Sequence, residues 1–143
     1  MPQVQKSVLV EHSATKMFAL VDRVEDYPLF LPWCAFSTVH QRDTEFTVAT
    51  LGIDYLKVKQ QFTTRNRKAD NLIFMHLEDG PFKRLSGAWR FLPLADWACK
   101  VEFELDYEFS SRALETIIGP VFNKITGTFV DAFIKQADKI EKP

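Results

Sequence analysis

The sequence predicts an α+β protein in which a curved antiparallel sheet of about seven strands wraps around one long C-terminal helix. Three observations predict it. From Leu114 to Ile140 apolar residues recur at helical spacing, and from Ala35 to Phe109 apolar and polar residues alternate in short runs divided by turn residues. The connectors between those runs are too short for crossover helices, so neighbouring strands must be antiparallel. A sheet with one apolar face has to bury it, and the C-terminal helix is the element long enough to fill the concavity.

In chain order, Val4, Lys6, Val8 and Val10 alternate against Gln3, Gln5, Ser7, Leu9 and Glu11, which predicts a strand. Ser13 is placed to cap a first helix in which Met17, Leu20, Val21 and Val24 share a face. Asp26 is placed to cap a short helical stretch; Pro28 suits its first turn and Pro32 forbids its continuation. Strands follow over Ala35–Gln41, Glu45–Leu51, Tyr55–Thr64, Asn71–Leu77, Leu85–Leu92 and Ala98–Phe109. Turns are expected at Arg42-Asp43 and Gly52-Ile53-Asp54, and a polar, basic connector over Arg65–Asp70. In the last strand Cys99, Val101, Phe103, Leu105, Tyr107 and Phe109 alternate with Lys100, Glu102, Glu104, Asp106 and Glu108, one face buried and the other wet.

Ser110 and Ser111 are placed to cap the C-terminal helix. Its apolar face reads Leu114, Ile117, Ile118, Val121, Phe122, Ile125, Phe129, Ala132, Phe133, Ala137 and Ile140; Asn123, Lys124, Asp131, Lys135, Asp138, Lys139 and Glu141 face water. Gly119-Pro120 is expected to kink or restart it, because proline removes a donor and clashes with the preceding turn. A restart at Pro120 leaves about 22 residues, roughly 33 Å of rod.

Composition sets the outer bounds. The 143 residues, 46% hydrophobic and 26% charged, predict a single domain over residues 1–143 with a sizeable core. A net charge of -1 excludes an overall positive field, so any contact with nucleic acid is local. Thirteen Phe, three Trp and three Tyr make an interior of wide, flat side chains, which either fill a core or line an apolar pocket. Cys34 and Cys99 form no CxxC pair and the first residues lack an export pattern, so a reducing, cytoplasmic setting is expected and no metal site. No apolar run in the sequence reads as a membrane span. Nucleophile elbow, zinc-hydrolase, phosphate-loop and dinucleotide motifs are lacking, and His12, His40 and His76 fall in separate segments. Cys34 beside Trp33 reads as a small buried hydrophobe. The expectation is a protein that is not an enzyme.

Two stretches carry more. Tyr27-Pro28-x-Phe30-Leu31-Pro32-Trp33-Cys34 and Asp79-Gly80-Pro81-Phe82-x-x-Leu85-x-Gly87-x-Trp89-x-Phe91 together resemble the coenzyme-Q-binding START-like family, within the polyketide cyclase/START superfamily. Its bacterial members are also described as ribosome-association toxins. The resemblance covers nearly the whole chain and implies a helix-grip (START/Bet v 1-like) fold with a hydrophobic tunnel between sheet and C-terminal helix. It implies two competing functions. One is binding of ubiquinone in support of respiratory electron transport and ubiquinone biosynthesis, as a carrier or chaperone. The other is binding of the large ribosomal subunit so that subunit association is blocked. The sequence departs from many relatives at Gln136-Ala137, where they carry Arg-Ala.

The implied tunnel names the candidate ligand-binding residues. Phe30 and Trp33 come from the first motif and Phe82, Gly87 and Trp89 from the second; Phe103 and Tyr107 come from the last strand, and Phe122, Phe129 and Phe133 from the helix. His76, Tyr107, Trp89 and Tyr55 are the strand residues able to donate to a quinone carbonyl. The same aromatics read equally as plain core, Gly87 as a bend in the sheet, and His76 as an ordinary strand histidine. Each buried CH2 of an isoprenoid tail contributes about 0.8 kcal/mol, so the tail dominates affinity. Gly87→Leu is the substitution expected to fill the tunnel.

For the ribosome, Lys57, Lys59, Arg65, Arg67 and Lys68 lie on one strand and its following turn, Lys57 and Lys59 sharing an outward face, with Lys83, Arg84 and Arg90 on the hairpin beyond. The acidic residues of the last strand cancel these charges wherever the strands are neighbours. No cofactor is expected to be required. Ubiquinone or a similar isoprenoid lipid is the expected ligand, with transient, peripheral contact at the inner membrane; the large ribosomal subunit is the alternative partner, and the oligomeric state is left open.

Overall fold

Strand β1 (Gln3–Val10) leads into helix α1 (Ala14–Asp22), a 3-10 turn (Val24–Asp26) and the one-turn helix α2 (Tyr27–Phe30). Strands β2 (Cys34–Arg42), β3 (Phe46–Tyr55), β4 (Val58–Ala69), β5 (Leu72–Asp79), β6 (Phe82–Ala95) and β7 (Ala98–Phe109) follow, and helix α3 (Arg112–Lys139) ends the fold. This computed structural model describes residues 3–140, so Glu141, read above onto the polar face of the helix, lies outside the described residues. The seven strands form one sheet in the order β1-β7-β6-β5-β4-β3-β2, every neighbouring pair antiparallel. Strict alternation along β7 buries Cys99 through Phe109 on the concave face, where α1 and α3 pack.

Both serine caps form. The Ser13 hydroxyl accepts from the Lys16 N–H at 3.0 Å and that of Ser111 from the Leu114 N–H at 3.1 Å, each satisfying an orphan helix donor. Asp26 does not cap α2; its carboxylate accepts from Arg23 Nε at 2.9 Å instead.

Helix α3 does not restart at Pro120 but is continuous over 28 residues. The residues around the proline explain why: Ile118, Val121 and Phe122 are buried, and packing of that face outweighs one missing backbone bond. The buried ridge runs Ile118, Phe122, Thr126, Val130, Phe133, Ala137 at steps of three and four. Val130, absent from the face read in the sequence, is 2% exposed, whereas Ile117 and Ile140, assigned to it, are 65% and 51% exposed. By length and composition α3 is long and apolar enough to cross a bilayer, contrary to the sequence expectation, yet its ridge lies against the sheet.

Two connectors are displaced from their expected places. Gly52-Ile53-Asp54 belongs to β3, where the Phe36 ring on β2 covers the bare Gly52 backbone, and the turn falls at Leu56 and Lys57, both in the left-handed region at φ 51° and 71°. Arg65–Ala69 is strand rather than connector, and Asn71 at φ 58° makes the next turn. Along this part of β4, Thr64, Asn66 and Lys68 turn toward the concave side, while Arg65 and Arg67 turn outward over the rings of Phe46 and Phe74.

The 3-10 turn is tied to the end of β2 by one ion pair. Glu25 accepts from Arg42 Nη1 at 2.9 Å and Nη2 at 2.8 Å, and these bonds hold its carboxyl at about 2, below the ordinary 4.5. A carboxyl depressed in the folded state adds stability above its unfolded value, lost as pH falls through the folded one. Both side chains are about one-third exposed, so screening limits the pair to about 1 kcal/mol. Arg42→Gln is therefore expected to be less stable than the parent by about 1 kcal/mol at neutral pH. In urea unfolding the gap should close between about pH 4.5 and 2; a gap that persists there would assign the loss to Arg42 donating to the Asp22 carbonyl instead.

Candidate functional site

The register of the sheet decides which side chains meet α3. Ala49 and Leu51 of β3, Phe62, Thr64 and Asn66 of β4, Met75 of β5, Leu85 of β6, and Phe103 and Leu105 of β7 all face inward. Phe122, Ile125, Thr126 and Phe129 of α3 face them, and Val24, Tyr27 and Trp33 close one side. Between them lies a cavity of about 60 Å³, measured as space open to the centre of a water molecule. That is several times the room one water needs, within walls that are mostly hydrocarbon and aromatic.

Of the ligand-binding candidates, Trp33, Phe103, Phe122 and Phe129 line this cavity. Trp89 and Phe133 stand behind the wall: Trp89 lies 4.6 Å from Phe103 and 5.3 Å from Phe133, ring centre to ring centre, and both are essentially inaccessible. Phe30 packs edge-on against Tyr27 and Phe133 at 6.1 and 5.2 Å. Phe82 supports the other end, stacked on Phe109 at 5.0 Å and tilted against Phe122 at 5.2 Å. Tyr107 is buried, and its hydroxyl donates to Asn123 Oδ1 at 2.8 Å, tying β7 to α3; burial raises its pKa.

Two candidates are corrected. His76 is exposed on the convex side of β5, beside Phe74, Ser86 and Arg90, and faces away from the cavity because its neighbour Met75 takes the inward position. Gly87 does not leave room for a ligand ring beside Trp89. A Cβ there would lie 2.5 Å from the Glu104 carbonyl oxygen, 2.9 Å from Leu105 Cδ1 and 3.0 Å from Met75 Cε, so β7 backbone and two cavity-wall side chains already fill the gap.

Asn66 escaped the sequence reading. It is 8% exposed, lines the cavity, and its Oδ1 has no hydrogen-bond partner. The usable signal was the alternation Thr64-x-Asn66-x-Lys68, which continues the strand through residues that looked like a polar connector. Two other polar groups in the wall are committed. The Tyr27 hydroxyl donates to the Val21 carbonyl at 2.6 Å, its pKa raised by complete burial, and the Thr126 hydroxyl donates to the Asn123 carbonyl at 3.2 Å. Cys34 and Cys99 are free and buried, and burial pushes the Cys34 thiol up to about 11, which makes it a poor nucleophile near neutrality.

The basic candidates separate in the same way. Lys59, Arg65 and Arg67 share the convex side of β4. Lys57 does not share a strand face with Lys59 but sits in the β3–β4 turn. Lys68 is turned inward, its side chain 10% exposed and 3.5 Å from Asp22, so it offers no charge to a partner. Lys83, Arg84 and Arg90 are matched across the β6–β7 pair by Glu108, Asp106 and Glu104.

Residues 10–134 match the family model described as polyketide cyclase / dehydrase and lipid transport. The "Ribosome association toxin RatA" of Vibrio cholerae is 43% identical over 141 residues, covering 98% of this chain and 98% of that protein. "Coenzyme Q-binding protein COQ10, mitochondrial" of Drosophila melanogaster is 27% identical over 143 residues, covering 96% of this chain and 59% of that protein. Among solved structures, the Zhui aromatase/cyclase of a Streptomyces species superposes with a TM-score of 0.86 at 15% identity, covering 99% of this chain and 96% of that one. A START superfamily protein of Mycobacterium smegmatis superposes at 0.75 with 23% identity, covering 97% of each. With a model matched along most of the sequence and a helix gripped by a curved antiparallel sheet, the chain belongs to the polyketide cyclase / dehydrase and lipid transport family and has its START-like fold.

Proposed function

We propose that this protein binds an apolar ligand between sheet and α3, a ubiquinone or similar isoprenoid lipid, and acts as a non-catalytic carrier or chaperone for it in respiratory electron transport and ubiquinone biosynthesis. The observation that carries the reading is the cavity, whose walls offer the flat faces of Trp33, Phe103, Phe122 and Phe129 to a ring and aliphatic surface to a chain. The resting space takes part of a head group. The flexible Met75 and the half-buried Phe129 supply the rest by turning aside. Among the described residues, the cavity wall contains no carboxylate, imidazole, amine or thiol, which supports binding over acid–base chemistry. The kinship with a protein named for coenzyme Q binding supports the choice of ligand. The protein then works in the cytoplasm with peripheral contact at the inner membrane, where its ligand resides.

Mass spectrometry of an organic extract tests this, using protein purified gently from its native host and a protein of the same fold as control. Near-stoichiometric ubiquinone is expected. A clean extract from well-folded protein would overturn the carrier reading.

A second reading, association with the large ribosomal subunit, is favoured by Arg65 and Arg67 on the convex side of β4, whose register partners Val48, Phe46, His76 and Phe74 carry no acid, and by kinship with a protein named for ribosome association; Lys59 on the same side is paired with Asp54 of β3. It predicts cosedimentation with large subunits that falls steeply with salt. Arg65→Ala combined with Arg67→Ala should abolish it, and filling the cavity should leave it unchanged.

A further inference from the structure

Asn66 is the polar group that a purely apolar ligand leaves unserved. It stands on the inner side of β4 between Thr47 and Met75, in a wall of hydrocarbon, with Oδ1 buried and unpartnered. A buried acceptor without a partner destabilises the free protein, so its presence in a cavity wall calls for a ligand that completes it. Tyr27 and Thr126 already donate to backbone carbonyls, and Thr64, the neighbouring inward residue on β4, leaves Oδ1 unpartnered.

We infer that Asn66 is the polar subsite of the cavity and that it receives the hydroxyl of an aromatic ligand, a phenol or a quinol in preference to a fully oxidised quinone. This rests on the reading that the cavity holds an apolar ligand and adds the identity of a polar contact. A quinone presents carbonyl oxygens only. These can accept from the Asn66 amide N–H but leave Oδ1 as it was; a ring hydroxyl donates to Oδ1 and removes the unpaired acceptor. Among carrier ligands, the reduced head group and hydroxylated aromatic precursors have this chemistry. A carrier built this way holds the hydroxylated form more tightly than the oxidised one.

The test is a binding comparison on the full chain with two near-isosteric probes, 4-propylphenol and 4-propyltoluene, titrated by calorimetry into the parent protein and Asn66→Leu. The preference for the phenol over the toluene should be about tenfold greater in the parent than in Asn66→Leu. The variant should bind propyltoluene at least as well as the parent, and without ligand it should melt no lower, because leucine removes a buried unpaired acceptor. In the parent alone, the Asn66 side-chain amide resonances should shift with propylphenol and stay in place with propyltoluene, a readout that does not depend on the variant's folding. Equal preferences in the two proteins, or identical amide shifts with both probes, would overturn the subsite while leaving apolar binding intact. If neither probe binds the parent, the apolar-ligand reading fails and this inference fails with it.

Discussion

Replacing Phe133 by alanine should cost about 3–5 kcal/mol and loosen α3 from the sheet. Phe133 is fully buried, and its ring meets Tyr27, Phe30, Trp89 and Phe129 edge-on at 5.1, 5.2, 5.3 and 5.1 Å. These partners come from α2, β6 and α3 itself, so one side chain ties the helix to two other elements. Truncation removes its contacts and leaves a void that rings held by their own neighbours fill poorly. Ile117→Ala on the same helix is the control, since that side chain is 65% exposed and its loss should change stability by less than about 0.5 kcal/mol. Urea unfolding with a shared slope separates the two. If Phe133→Ala proves no worse than Ile117→Ala, the helix is held by something other than this aromatic cluster.

The second large effect concerns the ligand. Ala49→Leu should lower the amount of ligand retained through purification by at least about tenfold while the protein stays folded, at an overpacking cost of about 1–3 kcal/mol. Ala49 is 2% exposed on the inner face of β3, paired in register with Thr64, and both border the cavity. A longer side chain there enters the space a ligand ring requires. Gly87→Leu, which the sequence pointed to, is the wrong tool: its Cβ meets the β7 backbone at the Glu104 carbonyl, so loss of ligand would report a distorted sheet. The melting temperature of Ala49→Leu is measured beside its ligand content. A folded variant that retains as much ligand as the parent would place the ligand elsewhere.

The sheet was legible because alternation survives in the concave strands. In β7 each inward residue is apolar and each outward one charged or polar, and the structure follows that pattern without exception from Cys99 to Phe109. The boundaries at Gly52 and Arg65 were misplaced because glycine and clustered charge are turn signals only when nothing covers them. Phe36 covers the first, and the second alternates inward and outward within a paired strand.

By itself the sequence determined the antiparallel sheet around a C-terminal helix, the serine caps, the aromatic interior and the family, since each depends on local spacing or on a contiguous motif. Only the tertiary structure decided which inward residues border empty space. Trp89 and Phe103 lie opposite each other on neighbouring strands, yet only Phe103 lines the cavity, because Phe133 of α3 packs over Trp89. Asn66 and Lys68 were hidden for a related reason. Polar residues signal water in a sequence, whereas Asn66 is buried in the cavity wall and Lys68 is largely covered beside Asp22, groups distant along the chain that only folding brings to them.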